Sequence, residues 1–133
     1  MAIDFNDQVA ARTVWMEARG EGQAGMEAVA HVIKNRMADG RWGKTASEVC
    51  LWHAQFSGWS SNDPNFAQAC RLADADPTLA ACLQAWLNGI FEQTDPTGGA
   101  CFYFASTMAE PPAWAASMTE TVQIGRHKFY RDK

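Results

Sequence analysis

Residues Trp15 to Asp39 read "WMEARGEGQAGMEAVAHVIKNRMAD": a helix end, a glycine-punctuated junction and a second helix in one run. In its second half Met26, Val29, Ala30, Ile33 and Met37 recur at three- and four-residue spacing, with Glu27, Lys34 and Asp39 off that stripe. That period is helical, and it predicts a central packing helix over 23–39. The preceding segment "DFNDQVAARTVWME" predicts a first helix from about Asp4 to Arg19, capped by Asp4 or Asn6 and stopped at Gly20. At ~100° per residue, Val9, Ala10, Thr13 and Val14 fall at about 0°, 100°, 40° and 140°, and Glu17 falls at about 80°. An ionisable side chain on the apolar face is costly unless it is partnered or neutralised. Glu17 also sits at the helix C-terminus, where the dipole disfavours a negative charge and raises the proton affinity of a carboxyl.

Working outward, "TASEVCLWHAQFSGW" opens with a Thr45-x-x-Glu48 capping box and turns irregular at Ser57-Gly58, a short helix feeding a loop. "FAQACRLADAD" and "PTLAACLQAWLNGIFEQ" predict two more helices over 66–76 and 77–93, with Asp76 as cap and Pro77 as first helical residue of the second. The character then changes. "DPTGGACFYFAS" is a turn cluster followed by an aromatic strand over 101–105, and "EPPAW" reads as loop. "TVQIGRHKFYR" predicts a hairpin with Gly125-Arg126 as its loop, in a register that pairs Ile124 with His127 and Val122 with Phe129 on one face. His127 then points to the core or a cleft. The expected fold class is α+β, mainly α: a helical domain with a small C-terminal antiparallel β element.

With 133 residues the chain is read as one domain, 1–133, large enough to close a core without disulfide or metal staples. Hydrophobic residues make up 47% and no apolar run approaches the ~18 residues of a membrane helix, so membrane insertion is not expected. A net charge of −4 and no cluster among the 11 basic residues argue against a nucleic-acid partner. The N-terminal "MAIDFNDQVAARTVW" has no secretory pattern, which predicts synthesis ending in the cytoplasm. Cys50, Cys70, Cys82 and Cys101 show no CxxC pair and are expected to be reduced, buried thiols. No HExxH or other ligand spacing links His31, His53 and His127, so neither a metal nor another cofactor is expected. His31 and His53 are expected to be partly buried and satisfied. Most of the six tryptophans are expected in the core, with some free to meet sugar rings.

Glu17 has two readings from the residues alone. One is an ion pair with Arg12, Arg19 or Arg36. The other is a general acid whose burial lifts its pKa toward the range useful for protonating a leaving oxygen, as glycoside cleavage requires. Glu21 is either a loop-anchoring acceptor or, with Asp63 and Asp95, a candidate second carboxylate.

"WMEARGEGQAGMEAVAHVIKNRM", "FSGW", "DPTGGACFYF" and "IGRHKFY", in that order over about residues 12 to 130, resemble the SleB-type cell-wall hydrolases, the spore-cortex-lytic enzymes that also occur among phage and bacterial lysins. The resemblance implies a lysozyme-like helical fold with a small β element. It also implies cleavage of peptidoglycan glycan strands, usually as a lytic transglycosylase. Carried over residue by residue, Glu17 becomes the catalytic acid, and Glu21, Phe56, Ser57, Trp59, Tyr103, His127 and Tyr130 become substrate-binding or supporting residues. A muramidase using a second carboxylate, an amidase and a non-catalytic glycan-binding module are the alternatives. The absent signal fits a lysin that reaches the wall through a lesion made by a holin-like protein.

Overall fold

The computed structural model describes residues 3–53 and 55–133. Its elements are α1 (Phe5–Ala18), α2 (Gly22–Asp39), α3 (Ala46–Cys50), α4 (Pro64–Arg71), α5 (Pro77–Phe91), β1 (Phe102–Ala105), β2 (Met118–Ile124) and β3 (His127–Asp132). Single 3-10 turns occupy Ser57–Trp59 and Ala113–Ser117. The mainly helical α+β architecture agrees with the expectation from sequence.

Local chemistry sets the helix ends. Asp4, rather than Asn6, caps α1 in a reciprocal box with Asp7, while Asn6 accepts from the Ser47 amide and ties α1 to α3. α2 ends at Gly40, whose φ of 88° is the left-handed C-cap conformation glycine tolerates best. The Thr45–Glu48 box and the Asp76–Pro77 start form as read. α4 departs from the predicted 66–76 span. Asp63 and Pro64 supply a cap and a first helical residue earlier, and the Arg12 guanidinium takes the Ala69 and Leu72 carbonyls, closing the helix at Arg71. "EPPAW" leads into the 3-10 turn at Ala113–Ser117 instead of remaining loop throughout.

α1, α2 and α5 pack around Val9, Ala10, Val14, Val29, Ala30, Ile33, Ala85 and Trp86. The three strands form one antiparallel sheet in the order β1-β3-β2. Ile124 pairs with His127 and Val122 with Phe129, as the hairpin pattern predicts, and the ladder shifts register between Glu120 and Val122. One sheet face carries Phe129 and Val122, packed on Ala28, Val32 and Ala100. The other carries Phe104 and Tyr130 with Ala115 and Trp114.

The "DPTGGA" turn is fastened to α2. Asp95 accepts from the Thr97 amide and hydroxyl, the Gly99 amide and Asn35, and Asn35 also donates to the Ala100 carbonyl. His31 is buried and satisfied as expected, its Nε2 3.0 Å from Glu92 and its Nδ1 3.6 Å from Asp95. His53 is exposed, contrary to expectation, because it lies on the loop after α3 rather than on a packed helix face. Cys50, Cys82 and Cys101 are buried free thiols, whereas Cys70 is exposed on α4, an outer helix that buries only Ala69. Trp15, Trp42 and Trp86 are in the core, and Trp52 is about half exposed.

Candidate active site

The last turn of α1 directs Glu17 toward β1, where the Tyr103 hydroxyl donates a hydrogen bond to its Oε1. The neighbours Val14, Met16 and Ala18 are buried, but Glu17 itself keeps a partly exposed edge. Burial of the carboxyl raises its pKa above 4.5, and the negative charge of Asp63 adds to the rise; the Tyr103 bond and the positive charge of Arg36 oppose it. The outcome is an acid that holds its proton to higher pH than a solvated glutamate. Tyr103, desolvated and beside Glu17, has its own pKa well above 10, so it remains a hydrogen-bond donor.

The ion-pair reading of Glu17 fails for two of its three named arginines. Arg12 is committed to α4 carbonyls and Gln8, and Arg19 lies over Trp15 and donates to Asn65. Arg36 acts on Glu17 through space, with no salt bridge between them among the described residues.

Glu21 adopts the loop-anchoring geometry. Its Oε1 accepts from the Arg126 amide at 2.8 Å and its Oε2 from Arg126 Nε and Nη2 at 2.9 and 2.6 Å, so both oxygens hold the β2–β3 turn to the α1–α2 junction. These bonds hold its carboxyl below the usual range. His127, beside that turn, lies 4.9 Å from the Tyr103 ring, and burial lowers its pKa.

The "FSGW" segment leans on α1 one turn before Glu17. Trp59 Nε1 donates to Thr13 Oγ1 at 2.8 Å, and Phe56 is buried in the core. A Cβ at Gly58 would overlap the Met16 side chain, so only glycine lets the turn come this close. Ser57 is exposed, and Leu51, Trp52, His53, Phe56, Ser57, Trp59 and Ser60 line one hollow. Tyr130 is the predicted residue that the fold carries elsewhere: it stacks on Phe104 and bonds Glu120 on the sheet face opposite Tyr103. Of the other candidate carboxylates, Asp95 is consumed by its turn. Asp63 caps α4 through Oδ1, accepting from the Asn65 amide. Among the described residues no group of three His, Cys, Asp or Glu side chains is arranged to hold a metal ion.

Sequence reasoning passed over one residue of this neighbourhood. Arg36 had entered only as a possible ion-pair partner, yet it lies three and seven residues beyond Ile33 and Val29, on the apolar stripe of α2. The off-pattern charge that drew attention to Glu17 is present there too.

Fold and site define a helical domain that presents one enclosed carboxylic acid against an aromatic sheet. The chain belongs to the cell wall hydrolase family, whose model matches residues 20–130. That match begins just after Glu17, but wider similarities include it. The chain is 32% identical over 126 residues to the spore cortex-lytic enzyme of Halalkalibacterium halodurans, covering 95% of this chain and 34% of that protein. It is equally 32% identical over 126 residues to the enzyme of that name from Oceanobacillus iheyensis, covering 92% and 40%. The chain thus spans about a third to two fifths of these relatives. The fold resembles the catalytic domain of the germination-specific lytic transglycosylase SleB from Bacillus anthracis, at TM-score 0.75 and 29% identity over 96% of both chains. The catalytic domain of the Bacillus cereus SleB protein gives 0.76 and 30%, over 98% of this chain and 93% of the other.

Proposed function

We propose that this domain cleaves the β-1,4 bond between N-acetylmuramic acid and N-acetylglucosamine in peptidoglycan as a lytic transglycosylase, with Glu17 as general acid and then base. The observation that carries the reading is one enclosed carboxyl of raised pKa, while Glu21 and Asp95 are bound up in structural hydrogen bonds. Likeness to a solved lytic transglycosylase domain supports it.

Glu17 donates its proton to the glycosidic oxygen as the bond to the anomeric carbon breaks. The muramoyl 6-hydroxyl then attacks that carbon, and the Glu17 carboxylate takes the hydroxyl proton. The acid is restored and the product ends in 1,6-anhydro-muramic acid. No water is held and no second carboxylate is needed. Tyr103 keeps Glu17 in one orientation by occupying Oε1, which leaves Oε2 for the proton transfer. Ser57 and Trp59, on the turn packed against α1, and His127, against the Tyr103 ring, are proposed to meet sugar, with Phe56 and Glu21 as supporting residues.

One feature favours a second reading, since Asp63 lies close enough to act on Glu17 and uses only Oδ1 in its cap. A muramidase would use Asp63 to place water or to form a covalent intermediate. Mass spectrometry of digested purified peptidoglycan separates the two. Anhydro ends, about 18 Da lighter because no water is added, are expected. Reducing muramic acid as the main product, lost in Asp63→Asn, overturns the transglycosylase. New amino termini would mark an amidase, and binding without cleavage a glycan-binding module.

The same proposal has the protein made in the cytoplasm and released to the wall through a lesion formed by a holin-like protein. Lysis of expressing cells without such a partner would overturn that part.

A further inference from the structure

We infer that Arg36 is a positioning residue: its buried guanidinium is the counter-charge that receives the Glu17 carboxylate in the half of the cycle when the proton is on the sugar. The inference rests on Glu17 being the acid, and it adds how a single carboxyl deep in protein can give up its proton and recover it.

Arg36 is 4% exposed. Its guanidinium lies over three rings, Trp42 at 4.8 Å, Phe56 at 5.0 Å and Phe102 at 5.8 Å. Nε donates to the Cys101 carbonyl at 2.7 Å, while Nη1 is buried with no protein partner. Rings and one carbonyl reduce the cost of desolvating a cation but cannot neutralise it. Guanidinium stays protonated even so, and Arg36 forms no salt bridge among the described residues. A fold seeking only stability would fill such a place with an apolar side chain.

The surroundings place the charge among the segments that hold the acid. Phe56 precedes the turn pressed on Met16, the neighbour of Glu17. Cys101 lies two residues before Tyr103, which holds Glu17. The side chain therefore touches two segments beside the acid: the turn that packs on Met16 and the approach to β1, which carries Tyr103. The titratable groups acting on Glu17 are Tyr103 from β1, Arg36 from α2 and Asp63 from the cap of α4; Cys50 of α3 and Cys101 face Arg36 and are neutral thiols. Arg36 is thus the cation of the cluster. While Glu17 is protonated, the cation has no partner. When the proton leaves, the two charges offset each other, an interaction made after the chemical step begins and absent before it.

The test reads the titration of Glu17 without substrate, by the carboxyl infrared band assigned against Glu17→Gln, in wild type, Arg36→Met and Arg36→Lys. Removing the cation should move the Glu17 titration up by about one pH unit. The alkaline limb of the pH–rate profile on peptidoglycan should move with it, and the maximal rate should fall by about tenfold to a hundredfold. Lysine should restore the titration and part of the rate. Should Arg36→Met fail to fold, Arg36→Gln, which keeps a donor for the Cys101 carbonyl, carries the same measurement. A folded neutral variant in which Glu17 titrates as in wild type overturns the inference. Because that readout needs no substrate, it stands apart from any failure to cleave peptidoglycan, which would count against the proposed function instead.

Discussion

At Glu17 the energy of folding and the needs of acid catalysis pull in opposite directions. Its pKa is raised in the folded chain, chiefly by burial. Between the unfolded value near 4.5 and the higher folded one, the native state keeps a proton that the unfolded state has released. Stability therefore falls as pH rises through that window and stays lower above it. Glu17→Gln should remove the penalty: the variant should melt at or above the wild-type temperature at neutral and alkaline pH, with the gap closing toward pH ~4. The same change should cost about 10² to 10⁴ in rate. Calorimetry and turbidity loss of wall suspensions read the two effects, and a variant less stable at pH 8 would mark Glu17 as a structural ion-pair partner. The position of Glu17 on the apolar face was legible because it depends only on residues within one helix. Its partner was not, since the Tyr103 bond joins residues 86 positions apart and exists only once the sheet has docked.

Elements are joined here by side chains whose signatures in the sequence look catalytic. Glu21 is the plain case: both oxygens are spent on Arg126, with the arginine about two-thirds exposed and the glutamate nearly enclosed. Because its folded pKa is lowered, its contribution is present above the unfolded value and is lost as pH falls through the folded one. Glu21→Gln should lower the melting temperature by about 3–5 °C at pH 7, after allowance for solvent screening of Arg126. That difference should shrink below pH ~4, with the cleavage product unchanged; altered product chemistry would mean that Glu21 takes part in the reaction. The hairpin register was readable from alternation in a segment with one buried face, and the Asp76–Pro77 start from its cap. The end of α4 was not readable, because Arg12 of a distant helix fixes it. Tyr130 lies away from the acid for a related reason. Motif proximity to His127 says nothing of sheet face, and three residues further along an alternating strand is the opposite one.

For the whole molecule, the acid comes from the first helix and its hydrogen-bond donor from the first strand, so the site exists only while sheet and helical body are docked. Asn35, His31 and Arg36 of α2 hold the chain between α5 and Tyr103, through Asp95, Glu92 and the carbonyls of Ala100 and Cys101. Much of the "AVAHVIKNR" pattern is thereby explained as docking chemistry rather than substrate contact. Asn35→Ala removes donors from Asp95 and from the carbonyl of fully buried Ala100, which should cost about 1–3 kcal/mol. The loss should be local before it is global. Backbone amides of β1 and β3 should exchange with solvent faster than those of α1 and α5, and activity should fall at temperatures where the helices remain folded. Hydrogen-exchange mass spectrometry alongside activity at stepped temperatures reads both. Uniform loss of protection across strands and helices would show that sheet and body form one cooperative unit, with Asn35 contributing only to global stability.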